Sequence, residues 1–166
     1  RHTKADALSL IEKLRKAIPD IALRTTLLVG YPGESDADFE ELKEFVRTVQ
    51  FDRLGVFAYS EEEGTYSATR LKDDVPEDVK QQRVDGIMRL QERVSLENNA
   101  RRVGQTIRVI IDRKEGEFYI GRSEYDSPEV DQEIIVDSNG RRLCRGRFYR
   151  VEITDCEDYD LYGRIV

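Results

Sequence analysis

"IALRTTLLVGYPGES", Ile21 to Ser35, is the stretch from which the rest of the chain can be read. Its first nine residues are mostly apolar or β-branched and too few for a long helix, the mark of a strand covered on both faces. A loop with glycine and proline follows, and Ser35 stands three residues before Asp38, the spacing of a capping box. Phe39, Leu42, Phe45, Val46 and Val49 then form the apolar stripe of a helix. Upstream, Thr3 and Asp6 repeat the capping-box spacing, and Ala7, Leu8, Ile11, Leu14 and Ile18 recur at helical period before Pro19. Downstream, "RLGVFAYS", Arg53 to Ser60, predicts a second strand. Helix, strand, helix, strand is the order of parallel α/β units with right-handed crossovers. Two strands leave edges and uncovered sheet, so the expectation is the tail of a larger α/β domain, with an intact small domain as the alternative.

From Pro76 to about Val103 a polar segment carries Val79, Val84, Ile87, Leu90 and Val94 along one stripe, with Gly104 just beyond it. This predicts a long connecting helix. After Gly104 the period falls to about two. "TIRVIID", "EFYIG", "EIIVD", "YRVEIT" and "DLYGRIV" are short β-rich runs separated by turn residues, the pattern of a small five-stranded barrel of the OB kind. The expected organisation is therefore α/β over residues 1–75, a connecting helix over 76–103 and an all-β barrel over 104–166.

The 166 residues carry a formal charge of −7, with 37% charged and 39% apolar side chains. That balance argues against a protein that holds nucleic acid chiefly through a basic field, and it suits a basic partner. No apolar run approaches the roughly 18 residues that cross a bilayer. The opening "RHTKADALSL" lacks the pattern of a secretory leader, so a cytoplasmic location and no membrane partner are expected. Cys144 and Cys156 are isolated from one another, and the one histidine is His2. Zinc sites need four ligands and cubane clusters at least three cysteines, so this chain is expected to hold no metal.

In a parallel sheet, ligands lie beyond the carboxyl ends of the strands, where Gly30 to Ser35 falls. Gly30 and Gly33 would let backbone approach a ligand, Pro32 would fix the loop, and Glu34 would offer an acceptor to an amine or hydroxyl. Glycine and proline before a capped helix are also ordinary turn chemistry. Arg24 and Thr26 share one strand face, opposite Thr25, Leu27 and Val29; they could reach a ligand, or the arginine could snorkel. Glu61, Glu62 and Glu63 form an acidic lip after the second strand, which also reads as a solvated loop. In the barrel, "GRSEYDSPEVDQE" supplies Asp126, Glu129 and Asp131 around Pro128, an acidic surface loop. From Gly104 onward ten Lys/Arg face fourteen Asp/Glu, a net of −4. Tyr119, Tyr125 and Tyr149 could stack bases or pack the barrel.

"RTTLLVGYPGES", "FDRLGVFAYSEEEGT", the polar helix, "GRSEYDSPEVD" and "VEITDCEDYDLYG", in that order, resemble the carboxyl-terminal part of methylthiotransferases of the radical S-adenosylmethionine superfamily. The resemblance implies the last βα units of a partial (β/α) radical barrel followed by an OB-like TRAM barrel. It also implies S-adenosylmethionine and two 4Fe-4S clusters as cofactors of a three-part parent enzyme, with both cysteine sets outside this chain. The 166 residues alone are then expected to be inactive. Gly30, Pro32, Gly33 and Glu34 match the family's cofactor loop, and Arg24, Thr26 and Phe57 join them from their strand faces. Members acting on transfer RNA typically carry Arg and Pro between the Tyr-Ser and Gly-Thr pairs, whereas Tyr59-Ser60 and Gly64-Thr65 here flank three glutamates. That resembles the branch that methylthiolates the β-carbon of an aspartate in ribosomal protein S-twelve, with the ribosomal small subunit as a setting. Glu62, Glu63, Asp126, Glu129 and Asp131 would meet that basic protein, the TRAM barrel helping to bind it. A transfer-RNA methylthiotransferase with an RNA-binding barrel and a non-catalytic interaction module are the rival readings.

Overall fold

Side-chain caps open the first two helices in the computed structural model, which describes residues 3–128 and 130–166. The Thr3 hydroxyl accepts the Asp6 N–H at 3.2 Å while the Asp6 carboxylate accepts the Thr3 N–H at 2.8 Å, starting α1 (Lys4–Ala17). Ser35 and Asp38 exchange the same pair of bonds at 3.2 and 2.9 Å and start α2 (Asp36–Val49). These bonds hold both aspartates below the usual carboxylate range, led by the backbone amide at Asp6 and by the Ser35 hydroxyl at Asp38. β1 (Arg24–Val29) and β2 (Arg53–Ala58) pair in parallel, from Arg24 opposite Arg53 to Val29 opposite Ala58. A short helix unforeseen in the sequence, α3 (Tyr66–Arg70), is capped by Thr65, and α4 (Glu77–Ala100) follows.

One face of the two-stranded sheet carries Leu27, Val29, Leu54 and Val56 against Phe39, Leu42 and Val46 of α2 and Val84, Ile87 and Leu90 of α4. The other face carries Arg24, Thr26, Leu28, Gly55 and Phe57, with Leu28 50% and Phe57 64% exposed. The expectation of a strand covered on both faces is corrected here: among the described residues of this unit, a single layer of helices covers a single face.

The chain divides into two compact units, Arg1–Val94 and Ser95–Val166. In the second, β3 (Thr106–Glu115), β4 (Phe118–Ser123), β5 (Ile134–Asp137), β6 (Phe148–Cys156) and β7 (Leu161–Ile165) close a barrel in the order β3-β4-β5-β7-β6. All neighbours are antiparallel except β5 and β7. Register shifts between Ile111 and Arg113 and between Ile153 and Asp155 bend β3 and β6 around the barrel. Alternation sends Val109, Ile111, Ile134, Val136, Val151, Ile153 and Leu161 inward, where each is at most 1% exposed. The α/β-then-barrel class read from the sequence is the observed one.

Candidate functional site

The GYPGES loop is held from behind. Gly30 and Gly33 have φ of 75° and 84°, a region that a side chain would strain. At Gly30 a side chain would also strike Lys80, whose stem fills that space. The Gly30 N–H donates to Glu34 Oε1 at 3.0 Å, the Glu34 N–H closes a turn on the Tyr31 carbonyl at 2.9 Å, and the Gly33 N–H donates to Asp74 Oδ1 at 2.8 Å. Arg83 Nη1 reaches the same Glu34 Oε1 at 2.8 Å and the Glu34 carbonyl at 3.2 Å, while its Nη2 reaches Asp36 Oδ1 at 2.9 Å. Lys80 Nζ donates to Asp73 Oδ2 at 2.6 Å, and that bond, opposed by burial, raises the ammonium pKa. Tyr31 and Tyr59 meet edge to face at 5.3 Å between ring centres.

Beyond Gly33 nothing lies within 4 Å of where a side chain would project, so the loop offers bare backbone there. Arg24, Thr26 and Phe57 share the open sheet face, but only Phe57, opposite Leu28, lies near the carboxyl end of β1 where Gly30, Pro32 and Gly33 follow; Thr26 is mid-strand and Arg24, opposite Arg53, is at the far end. Glu34 has a different use from the one expected. Its Oε1 is committed to Gly30 and Arg83, so the carboxylate braces the loop from within. Leu28 and Phe57 give the open face an apolar surface, 50% and 64% exposed, beside the polar Thr26.

The acidic residues are dispersed. The Glu62 carbonyl accepts the Thr65 hydroxyl at 2.8 Å and N–H at 3.2 Å, shaping the turn before α3, and Ser60 Oγ donates to its Oε1 at 3.2 Å. Glu63 is exposed beside it. Asp126 is only 6% exposed and accepts the Ser123 hydroxyl and N–H, so it cannot meet a partner as a surface acid. Asp131 Oδ2 accepts the Ser127 N–H at 2.7 Å, bracing the loop around Pro128. The Asp126 correction has a physical cause: an irregular segment leaves backbone amides without ladder partners, and a nearby carboxylate satisfies them, as half-buried Asp131 also does at Ser127. Glu129 lies outside the described residues.

The barrel also departs from a uniformly acidic surface. A groove of 850 Å³ is lined by Lys114, Arg141, Arg142 and Arg145, with Arg113 and Tyr119 at its wall and Glu117 and Asp137 as its two acids. Arg113 is engaged by Glu133 and Glu115 at 2.6–2.7 Å. Tyr119 is 7% exposed and Tyr149 accepts the Cys144 N–H at 2.8 Å, so these two rings serve barrel packing; Tyr125 lies under the Arg102 guanidinium. Burial, then Asp155 and Asp158, pushes the Cys156 thiol up. Among the described residues no group of three His, Cys, Asp or Glu side chains could hold a metal ion, and no helix is long and apolar enough to cross a membrane.

Sequence reading missed Lys80 and Arg83. The signal was present as polar residues at core spacing: Lys80, Arg83, Ile87, Gln91 and Val94 are the buried line of α4, 5% exposed or less.

Residues 103–166 match the TRAM domain family, which gives the barrel its class. Across its length the chain is similar to curated proteins named ribosomal protein uS12 methylthiotransferase RimO. It is 55% identical to that of Bacteroides thetaiotaomicron over 99% of this chain and 38% of the relative. Against the Parabacteroides distasonis protein the identity is 52% over 99% and 38%. Against that of Christiangramia forsetii it is 49% over 93% and 34%. The chain thus spans less than two fifths of the length of these relatives. What the chain resembles is therefore a segment of these relatives, and the barrel within that segment is a TRAM domain.

Proposed function

We propose that this chain is the carboxyl-terminal portion of a radical S-adenosylmethionine methylthiotransferase that modifies the β-carbon of an aspartate in ribosomal protein uS12. The observation that carries the reading is an overall sequence identity of about one half to proteins so named, over a span that includes both units. Bound S-adenosylmethionine supplies the 5′-deoxyadenosyl radical of this chemistry. This chain's part is positional: the loop backbone at Gly30, Pro32 and Gly33 walls one side of the cofactor, and Thr26 and Phe57 on the open face border it. Two cysteines cannot supply the three thiolates of even one cubane cluster, so no step is assigned to clusters on these residues. Activity requires the cluster-bearing parts of the parent enzyme, which works in the cytoplasm.

The barrel helps to bind the substrate protein, and in the α/β unit Glu62 and Glu63 are exposed acids suited to a basic partner. The Lys114, Arg141, Arg142 and Arg145 groove favours a second reading, contact with RNA, either a transfer-RNA substrate or the ribosomal RNA around uS12. Titrating the 166-residue chain with purified uS12 and with transfer RNA at two salt concentrations tests both. Saturable, salt-weakened binding to uS12 is expected; tight binding to transfer RNA alone overturns the first reading.

A further inference from the structure

The cofactor loop owes its shape to residues far from it in sequence. The Gly30 amide points at Glu34 because Glu34 Oε1 accepts it, and that oxygen stays there because Arg83 donates to it from the other side. The Glu34 side chain is 13% exposed and that of Arg83 6%, so the pair is largely shielded from water. The second Arg83 nitrogen is spent on Asp36 in the first turn of α2, and its guanidinium lies 5.5 Å from the Phe39 ring centre. One side chain of α4 therefore ties the loop's first glycine, its glutamate and the following helix into a single arrangement. Asp74 holds the Gly33 amide in the same way, from the segment just before α4. Val75, 9% exposed, anchors that segment.

We infer that Arg83 is a positioning residue for the S-adenosylmethionine loop, fixing through Glu34 the backbone that Gly30 to Gly33 presents to the cofactor. This rests on the reading of the loop as a cofactor wall. Arg83 reaches the Gly30 amide only through Glu34, its side chain being buried behind the loop. Removing it leaves a shielded carboxylate without its cation, which turns toward water and releases the Gly30 amide.

Arg83→Gln in the 166-residue chain, followed by amide hydrogen exchange at Gly30, reads the first half of the claim. Exchange should accelerate roughly 10- to 100-fold, the loss expected for a charge-assisted hydrogen bond. Arg83→Lys, which keeps the charge without the fork, should give a smaller acceleration and guards against a folding defect. In the full-length methylthiotransferase carrying this segment, Arg83→Gln should raise the KM for S-adenosylmethionine while kcat at saturation stays close to that of the parent, a split that a general loss of fold would not produce. Unchanged Gly30 exchange overturns the inference, as does an unchanged KM. Gly33→Ala, placed on the loop's open side, separates the causes. If it raises the KM and Arg83→Gln does not, the inference alone fails; if neither does, the cofactor-wall reading fails and takes the inference with it.

Discussion

The two units use β-structure in opposite ways. The barrel closes on itself, so every strand has two neighbours and its apolar side chains meet at one centre. Among the described residues the two-stranded parallel sheet has two unpaired edges and one open face with Leu28 and Phe57 exposed, and it relies on α2 and α4 for its core. The closed unit spends its polar groups on its own loops, as Asp126 and Asp131 do. The open unit also braces a loop with its own side chains, Glu34, Asp74 and Arg83, but it does so beside a sheet face that its helices leave uncovered.

That contrast can be broken or sharpened by substitution, read out by peptide-resolved hydrogen exchange so that each unit reports separately. The largest effect is expected from Gly163→Val in β7, where a side chain would meet Val151 Cγ1 at 2.5 Å and the Glu152 carbonyl at 2.7 Å. Loss of more than about 4 kcal/mol, confined to the barrel, is expected for such a clash with backbone; a matching loss in Arg1–Val94 would deny the units their independence. Ile87→Ala removes a fully buried side chain from the α/β core and should cost that unit about 2–5 kcal/mol with the barrel's protection unchanged. Gln132→Met runs the other way. Gln132 is 7% exposed and neither amide atom has a hydrogen-bond partner among the described residues, so an apolar isostere should stabilise the barrel by about 1 kcal/mol in urea titration.

The smallest effect concerns pH. Arg113 holds the Glu133 carboxyl below its usual range through two bonds of 2.7 Å. A depressed folded pKa stabilises above the unfolded value and is lost as pH falls through the folded one. Glu133→Gln should therefore flatten the barrel's acid sensitivity below about pH 4.3, and an unaltered acid profile would show the pair to be idle.

The barrel was legible because alternation is a strong signal where one face is buried: all five β-rich runs became strands. The α/β elements were legible from capping boxes and stripes. What sequence reading lost were the polar members of α4, because a search for apolar periodicity passes over Lys80, Arg83 and Gln91 even when they sit on the buried line. It lost the role of Asp126 for a related reason. A carboxylate in a polar loop looks the same whether it faces water or two backbone donors, and only the folded loop distinguishes them. The charge of the barrel gave its sum but not its distribution, so the Arg141, Arg142 and Arg145 groove stayed hidden inside a net of −4.

Thr106 at the start of β3 pairs with Glu152 in β6, across most of the barrel's sequence. On a ribosome, β3 and β4 emerge as a hairpin while one side of β3 still lacks its partner, so a bare strand edge persists until β6 is made. Arg108, Asp112, Arg113 and Lys114 along that strand are charges placed where a neighbouring nascent chain could otherwise dock. The same closure that leaves the finished barrel without edges makes its synthesis the moment of greatest exposure to misassembly.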